Sequence, residues 1–482
     1  MMSKKPVNPP GRKAPASKKL DDSLFETFEA LHPNAAGIDI GAETPYVSVP
    51  EDRADPSVRT FGCFTPDLQA MAAWLKECRI THVVMESTGV YWMPAYQILT
   101  EAGFDVRLVD ARHAKNVPGR KTDVWDARWL RKLHTFGLLS GCFLPPQEIS
   151  ELRTYWRHRA TLVASAAEQI LRMHKSLERM NLQLHKVLSD TTGVTGMRIL
   201  REIVAGERDP SKLARHRQQG VKHSEETFIK ALSGDYQPEH LFTLQQSLAC
   251  YDFFQQQWKE CDQQLQVCLA AMQDKEPPAP PSSDGSAPQE GKPDNSLANP
   301  VLYRRKNQPH FDLHSELVRI AGVDLEEIDG ISTLTFQTII SEIGTDLSAF
   351  PSEKRFGSWL GLCPNHRITG GKVRSRRTRK VQNRVAQALR IAAQSLHHSK
   401  SALGAYYRRL HARLGAPKAI TATAYKLARI VWRMMTYGKA YVDVGVAAYE
   451  KKIQERTLNA LAKRASSLGY ALVAVGTGEM VS

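Results

Sequence analysis

AAGIDIGAETPYVSVPED, residues 35–52, mixes apolar and β-branched residues with turn formers, the pattern of short strands. Two further strand signals follow, THVVMES at 81–87 and FDVRLVD at 104–110. Between them, DLQAMAAWLKECR (67–79) and VYWMPAYQILTEAG (90–103) carry apolar residues at helical spacing. Strands alternating with helices predict an α/β domain up to Leu144, closed by Pro145-Pro146.

Beyond that point the pattern becomes helical. Residues 147–188 run without Gly or Pro and hold an apolar stripe, which predicts one long helix, read as a coiled-coil arm. After TTGVTGM (191–197) a second long helix is expected over 240–272, able to pair antiparallel with the first. The same stripe also suits packing inside the domain, and self-association is the expectation placed ahead of it. Residues 274–300 are dominated by Pro, Ser, Gly and charge and read as a linker, bounded at 274–310.

At 482 residues the chain has room for two to four domains, taking roughly 100 to 200 residues for each. Apolar residues at 42% and charged residues at 24% exclude wholesale disorder. No stretch approaches the ~18 apolar residues of a membrane span, so a soluble, cytoplasmic protein is expected. The first 20 residues carry six basic side chains and no acid, and 1–30 reads as a flexible basic arm. Seven cysteines with no C-x-x-C pair argue against a disulfide framework and a zinc site, leaving buried free thiols as the expectation.

The net charge of +15 points to a polyanionic partner. It is concentrated, because residues 354–442 hold twenty Lys and Arg and no Asp or Glu. A surface kept merely soluble would intersperse both signs, so the window predicts a nucleic-acid-binding face.

Four acids stand out in the α/β part. Asp39 lies inside an apolar run, Glu86 directly follows HVVM, and Asp123 and Asp126 lie three apart in KTDVWDARWL (121–130), on one face if that segment is helical. Unpaired carboxylates in apolar settings are costly, and a hard cation such as Mg²⁺ relieves that cost while serving phosphoryl transfer. Taken singly, each is as ordinary as any turn or strand-end acid.

GIDIG (37–41), MESTGVYW (85–92) and KTDVWDARWL together resemble the signature of the DEDD transposases of insertion sequences. The resemblance implies an RNase H-like, RuvC-like first domain (31–144) whose metal site is formed by Asp39, Glu86, Asp123 and Asp126. It extends past the helical region (145–273) to IDGISTLTFQTIISEIG (328–344) and FGSWLGLCPNHRITGGKVRSRRTRK (356–380), similar to the family's second, transposase domain (311–442). A tail (443–482) follows. Read physically, 325–344 resembles a helix-hairpin-helix whose backbone N–H groups meet phosphates, within a mainly α domain.

The Pro- and Gly-rich loop that follows gathers Arg367, Lys372, Arg374, Arg376, Arg377, Arg379 and Lys380, suited to a phosphodiester backbone. Where the resembled family carries a nucleophilic serine ahead of Gly-Lys, this sequence has Thr369, a stiffer secondary alcohol. Ser375 lies six residues on, out of register with the motif. The bland reading of Thr369 is a turn residue bonding its own backbone.

The resemblance implies a recombinase that cleaves and rejoins DNA, guided by a structured RNA encoded by the element. It is expected to work as a homo-oligomer, dimer or tetramer, with the α/β domain of one protomer meeting the transposase domain of another. Two alternatives stand beside it: a structure-selective resolvase using activated water, and a non-catalytic nucleic-acid-binding relative.

Overall fold

The computed structural model describes residues 29–87, 89–110, 122–276, 307–438 and 445–473. The expected basic arm and linker therefore lie almost wholly outside the described residues, and the tail partly so. The chain divides between Leu144 and Pro145 into two compact units.

The first unit is built on a five-stranded mixed sheet. In chain order it comprises β1 (Ala35–Asp39), β2 (Tyr46–Ser48), β3 (Val58–Thr60), α1 (Thr65–Glu77), β4 (His82–Glu86), α2 (Trp92–Glu101), β5 (Asp105–Val109) and α3 (Asp123–Thr135). The strand order is β3-β2-β1-β4-β5, with β1, β4 and β5 mutually parallel and β2 antiparallel to both its neighbours. Central strands covered on both faces need apolar side chains both ways, which is why β1 and β4 read as nearly continuous apolar runs. Ala36, Ile38, Val83 and Met85 pack with Leu68, Met71 and Leu75 of α1 and with Ala95 and Leu99 of α2. On the other face Val84 and Val109 meet Leu130 of α3 and Leu139. A mixed sheet carrying helices on both faces fits the RNase H-like expectation.

The second unit is mainly helical. It begins with α4 (Gln147–Arg179), followed by α5 (Leu184–Val187), α6 (Val194–Ala205), α7 (Pro210–Ala214), α8 (Glu225–Leu232) and α9 (Pro238–Ala270). The first long helix thus stops short of its expected end at residue 188. Asn181 adopts φ 53°, a left-handed conformation that Asn tolerates, and Leu182 and Leu184 turn into the core. Helices α4 and α9 pack along each other, so the apolar stripe offered for self-association is largely used within the chain.

A buried polar node crosses that pair. Asp262 of α9, 1% exposed, accepts from Arg159 Nε of α4 at 2.5 Å and from His310 Nδ1 at 2.9 Å. Trp156 and Trp258 flank the Arg159 guanidinium at 5.3 and 4.8 Å. Removing one member of such a pair costs about 3–5 kcal/mol, because the other charge stays buried alone.

The remaining elements are α10 (Leu313–Ala321), α11 (Thr333–Ile343), α12 (Glu353–Trp359), β6 (Arg367–Thr369), β7 (Lys372–Ser375), α13 (Arg384–Ser395), α14 (Ala402–Leu414), α15 (Ala416–Tyr437) and α16 (Gly445–Ser467). They share a unit with α4, since Arg157 grips the Glu342 carboxylate of α11 at 2.9 and 2.7 Å and Trp156 Nε1 donates to Thr338 Oγ1. The Gly330 turn between α10 and α11 rests on α13, where a Cβ would lie 2.7 Å from the Ala392 carbonyl oxygen.

All seven cysteines are free. The expectation that they are buried holds only for Cys78 and Cys261, since Cys63, Cys142 and Cys250 are exposed. Among the described residues no helix is long and apolar enough to cross a membrane.

Candidate active site

The direction of α3 decides where the acids of the first unit stand. At its C-terminal end the Thr135 carbonyl accepts from the His32 backbone N–H at 3.0 Å, and the His134 ring lies 6.3 Å from that of His82 at the start of β4. Midway, a Cβ on Gly37 would be 2.3 Å from Ala127 O and 2.4 Å from Arg131 N. Helix α3 therefore runs antiparallel to β1 and β4, and its first turn reaches the edge where those strands end.

Asp39 ends β1 and Glu86 ends β4, one step beyond the registered pair Ile38–Met85. Alternation along a strand puts Asp39 on the face of Gly37 and Glu86 on the face of Val84, both covered by α3. Asp123 and Asp126 precede the buried stripe Ala127, Leu130, Arg131 and His134 by one turn, on the same face. The four carboxylates thus occupy one edge of the sheet. Glu86 is 7% exposed, Asp39 and Asp126 are half-buried, and Asp123 is exposed.

Local chemistry holds the helix in that register. Thr122 caps it by accepting from Trp125 N at 3.3 Å, and acids in a first turn complement the helix dipole, the ordinary structural use of Asp123 and Asp126. Arg131 Nε donates to Ser48 Oγ at 3.2 Å, tying α3 to β2. Among the described residues no group of three or more His, Cys, Asp or Glu side chains stands close enough to hold a metal ion. The four acids offer oxygen alone, the ligand type that hard divalent cations take.

In the second unit the expected loop at 364–378 is instead a β-hairpin. Strands β6 and β7 pair antiparallel around Gly370 and Gly371, whose φ of 55° and 74° match the two-residue turns that hairpins favour. Below, Asn365 N donates to Arg377 O and Pro364 bridges Thr378, lengthening the ladder. Its foot is anchored by Arg379, which donates to Ser358 O at 2.5 Å, and by Val381 against Gly361.

Thr369 pairs with Lys372 beside the turn, exposed, and its hydroxyl bonds no other described residue. Ser375 Oγ accepts from Arg377 N at 3.3 Å, the local backbone use foreseen for Thr369. Arg367, Lys372, Arg374, Arg376 and Arg377 are exposed, and none pairs with a carboxylate among the described residues. Farther back, Arg429 and Arg433 of α15 hydrogen-bond Glu353, whose pKa is lowered although burial alone would raise it. The cations of the basic window are thus neutralised at its base and left open on the hairpin.

A transposase family model of the DEDD, IS110 type matches residues 36–182, taking in all four carboxylates. A second model, for transposases of the IS116/IS110/IS902 family, matches residues 323–408 and takes in the hairpin. The chain is similar to the DEDD transposase family over residues 36–182 and 323–408.

The chain is 32% identical over 129 residues to a Sinorhizobium fredii protein described as a putative transposase, y4pF/y4sB, covering 24% of this chain and 32% of that one. It is 29% identical over 119 residues to the transposase for insertion sequence element IS1328 of Yersinia enterocolitica, covering 24% and 35%. The match spans about a third of the length of these curated relatives.

Some features of the chain lie outside what the motifs announce. His134 is 1% exposed, neither ring nitrogen has a hydrogen-bond partner among the described residues, and its ring stacks on His32 at 4.7 Å. Burial first, then His32, Arg107 and His82, push its pKa down to about 4. A lone His in a helix gives no sequence signal for this. The hairpin does have one, since Gly-Gly flanked by RIT and KVRS is a turn between two short strands.

Proposed function

We propose that this transposase moves an insertion sequence by cleaving and rejoining DNA, with Thr369 as nucleophile and the four carboxylates as the metal-holding group. The observation that carries the reading is the Thr369 hydroxyl, exposed and without a hydrogen bond among the described residues beside the turn of a cationic hairpin, while Ser375 is engaged with its own backbone. Thr369 Oγ attacks the scissile phosphorus, the bond from phosphorus to the 3′ oxygen breaks, that oxygen leaves as a 3′ hydroxyl by taking up a proton in place of the one the threonine loses, and the chain is left joined to a 5′ phosphate.

Asp39, Glu86, Asp123 and Asp126 would hold a divalent cation such as Mg²⁺, which supplies positive charge against the charge that develops at phosphorus and the leaving oxygen. The hairpin cations Arg367, Lys372, Arg374, Arg376 and Arg377 hold the phosphodiester backbone, and the 325–344 segment adds a further hold on it. A structured guide RNA is a second polyanion that the same charge suits. Self-association into a dimer or tetramer, through surfaces other than the stripe that α4 and α9 spend on each other, completes the assembly, which acts on cytoplasmic DNA.

The test is peptide mapping of the covalent adduct formed on a nicked suicide DNA substrate. An adduct on Thr369 that is lost in Thr369→Ala and kept in Thr369→Ser supports the reading. An adduct on Ser375 overturns the assignment. Cleavage without any adduct favours a resolvase that activates water.

A further inference from the structure

The β6–β7 hairpin has two chemically different faces. Ile368 and Val373 are direct cross-strand partners, so their side chains share one face. Arg367 and Thr369 alternate with Ile368, and Lys372 pairs with Thr369, so these three share the opposite face. Arg374 sits at the irregularity in register between the pairs. One face is therefore cationic with a hydroxyl, and the other is an aliphatic pair.

The aliphatic face is open. Ile368 is 62% exposed and Val373 42%, and a Cβ on Gly370 or Gly371 would meet nothing within 4 Å. Exposed hairpins usually carry charge on both faces, because a bare apolar ribbon invites aggregation. A side-by-side aliphatic pair on a projecting ribbon needs an occupant.

We infer that the hairpin is a strand-separating pin: Ile368 and Val373 stack on the bases at the end of an opened DNA duplex, while the opposite face holds the backbone of one separated strand at Thr369. This rests on the nucleic-acid reading proposed above and deepens it. Charge argues for DNA as the occupant, since residues 354–442 contain no acid and the hairpin cations beside the aliphatic pair meet no carboxylate among the described residues. Geometry argues for a pin over a ribbon lying flat in a groove. A flat ribbon would turn Thr369 away from the DNA whenever Ile368 faced it, whereas a pin between strands gives each face its own partner. Aliphatic wedges that unstack a base step are an established way for proteins to open or kink DNA.

The test uses the full chain carrying Ile368→Thr and Val373→Thr together, which keeps β-branching and hence the strand while removing the aliphatic face. On fully paired suicide DNA, adduct formation should fall roughly tenfold or more, since unstacking a base step costs a few kcal/mol. On the same DNA with mismatched bases beside the nick, adduct should return to about the wild-type level. Permanganate reactivity of thymines beside the scissile phosphate should be high with the wild type and low with the variant. An equal deficit on both substrates, or unchanged permanganate reactivity, overturns the pin. Loss of an oligomer seen by light scattering in the wild type would make the face a protein interface and overturn it also. Absence of adduct with the wild type on both substrates would count against the proposed nucleophile, and permanganate reactivity would still decide the pin.

Discussion

Gly37 and Ala127 touch backbone to backbone: a Cβ on Gly37 would lie 2.3 Å from the Ala127 carbonyl oxygen. Only a residue without a side chain lets α3 lie this close to β1. That closeness sets how far the first turn of α3, with Asp123 and Asp126, reaches toward Asp39.

Gly37→Ala should therefore destabilise the first unit by on the order of 3 kcal/mol, since the colliding atoms are backbone and cannot rotate away. Strand cleavage should fall with it, because α3 carries two of the acids. Gly141→Ala, where the nearest atom is 3.8 Å away, should be close to neutral. Denaturant unfolding of both variants checks this, and equal midpoints would refute the close approach.

Asp39→Asn and Asp126→Asn should each abolish strand cleavage and weaken Mg²⁺ binding, as an amide keeps the shape but loses the charge facing a dication. Folding should survive, because both side chains are only half-buried. Calorimetric titration with Mg²⁺ alone reads the binding. Wild-type cleavage by either variant would remove that residue from the site.

Changing Arg374, Arg376 and Arg377 together to Gln should lower the slope of log affinity against log salt by about 2 to 3, at roughly 0.7 to 0.9 for each phosphate no longer neutralised. Arg379 is best left in place, because it anchors the hairpin through Ser358 O. An unchanged slope would move the binding face away from the hairpin.

Stability of the first unit should depend on pH through His134, which faces His32, His82, Arg107 and Asp105. Its folded pKa of about 4 lies below the ordinary 6.5, so the unfolded chain takes the proton first as pH falls. The contribution is complete above about pH 6.5 and is lost toward pH 4, on the order of 3 kcal/mol in all. His134→Leu should flatten that dependence in denaturant midpoints measured across the window. An equally steep profile in the variant would assign the acid lability to other groups.

The amino-acid sequence by itself determined the α/β character of the first 144 residues, because strand alternation and helical spacing are local properties of β1, β4, α1 and α2. It also determined the cationic window, because charge is counted and not folded. The motifs around Asp39, Glu86 and Asp123 announced the family for the same reason. What only the tertiary structure decided depends on direction and register. The antiparallel run of α3, held close to β1 by Gly37 beneath Ala127, brings acids from positions 39, 86, 123 and 126 to one edge. The buried Arg159–Asp262 pair joins residues far apart in the chain, and the end of α4 at Arg179 follows from Leu182 and Leu184 turning into a core that a linear pattern does not reveal. The pairing of Ile368 with Val373 sorts the hairpin into two faces, and cross-strand register is fixed by hydrogen bonds between residues that no spacing along one strand can supply.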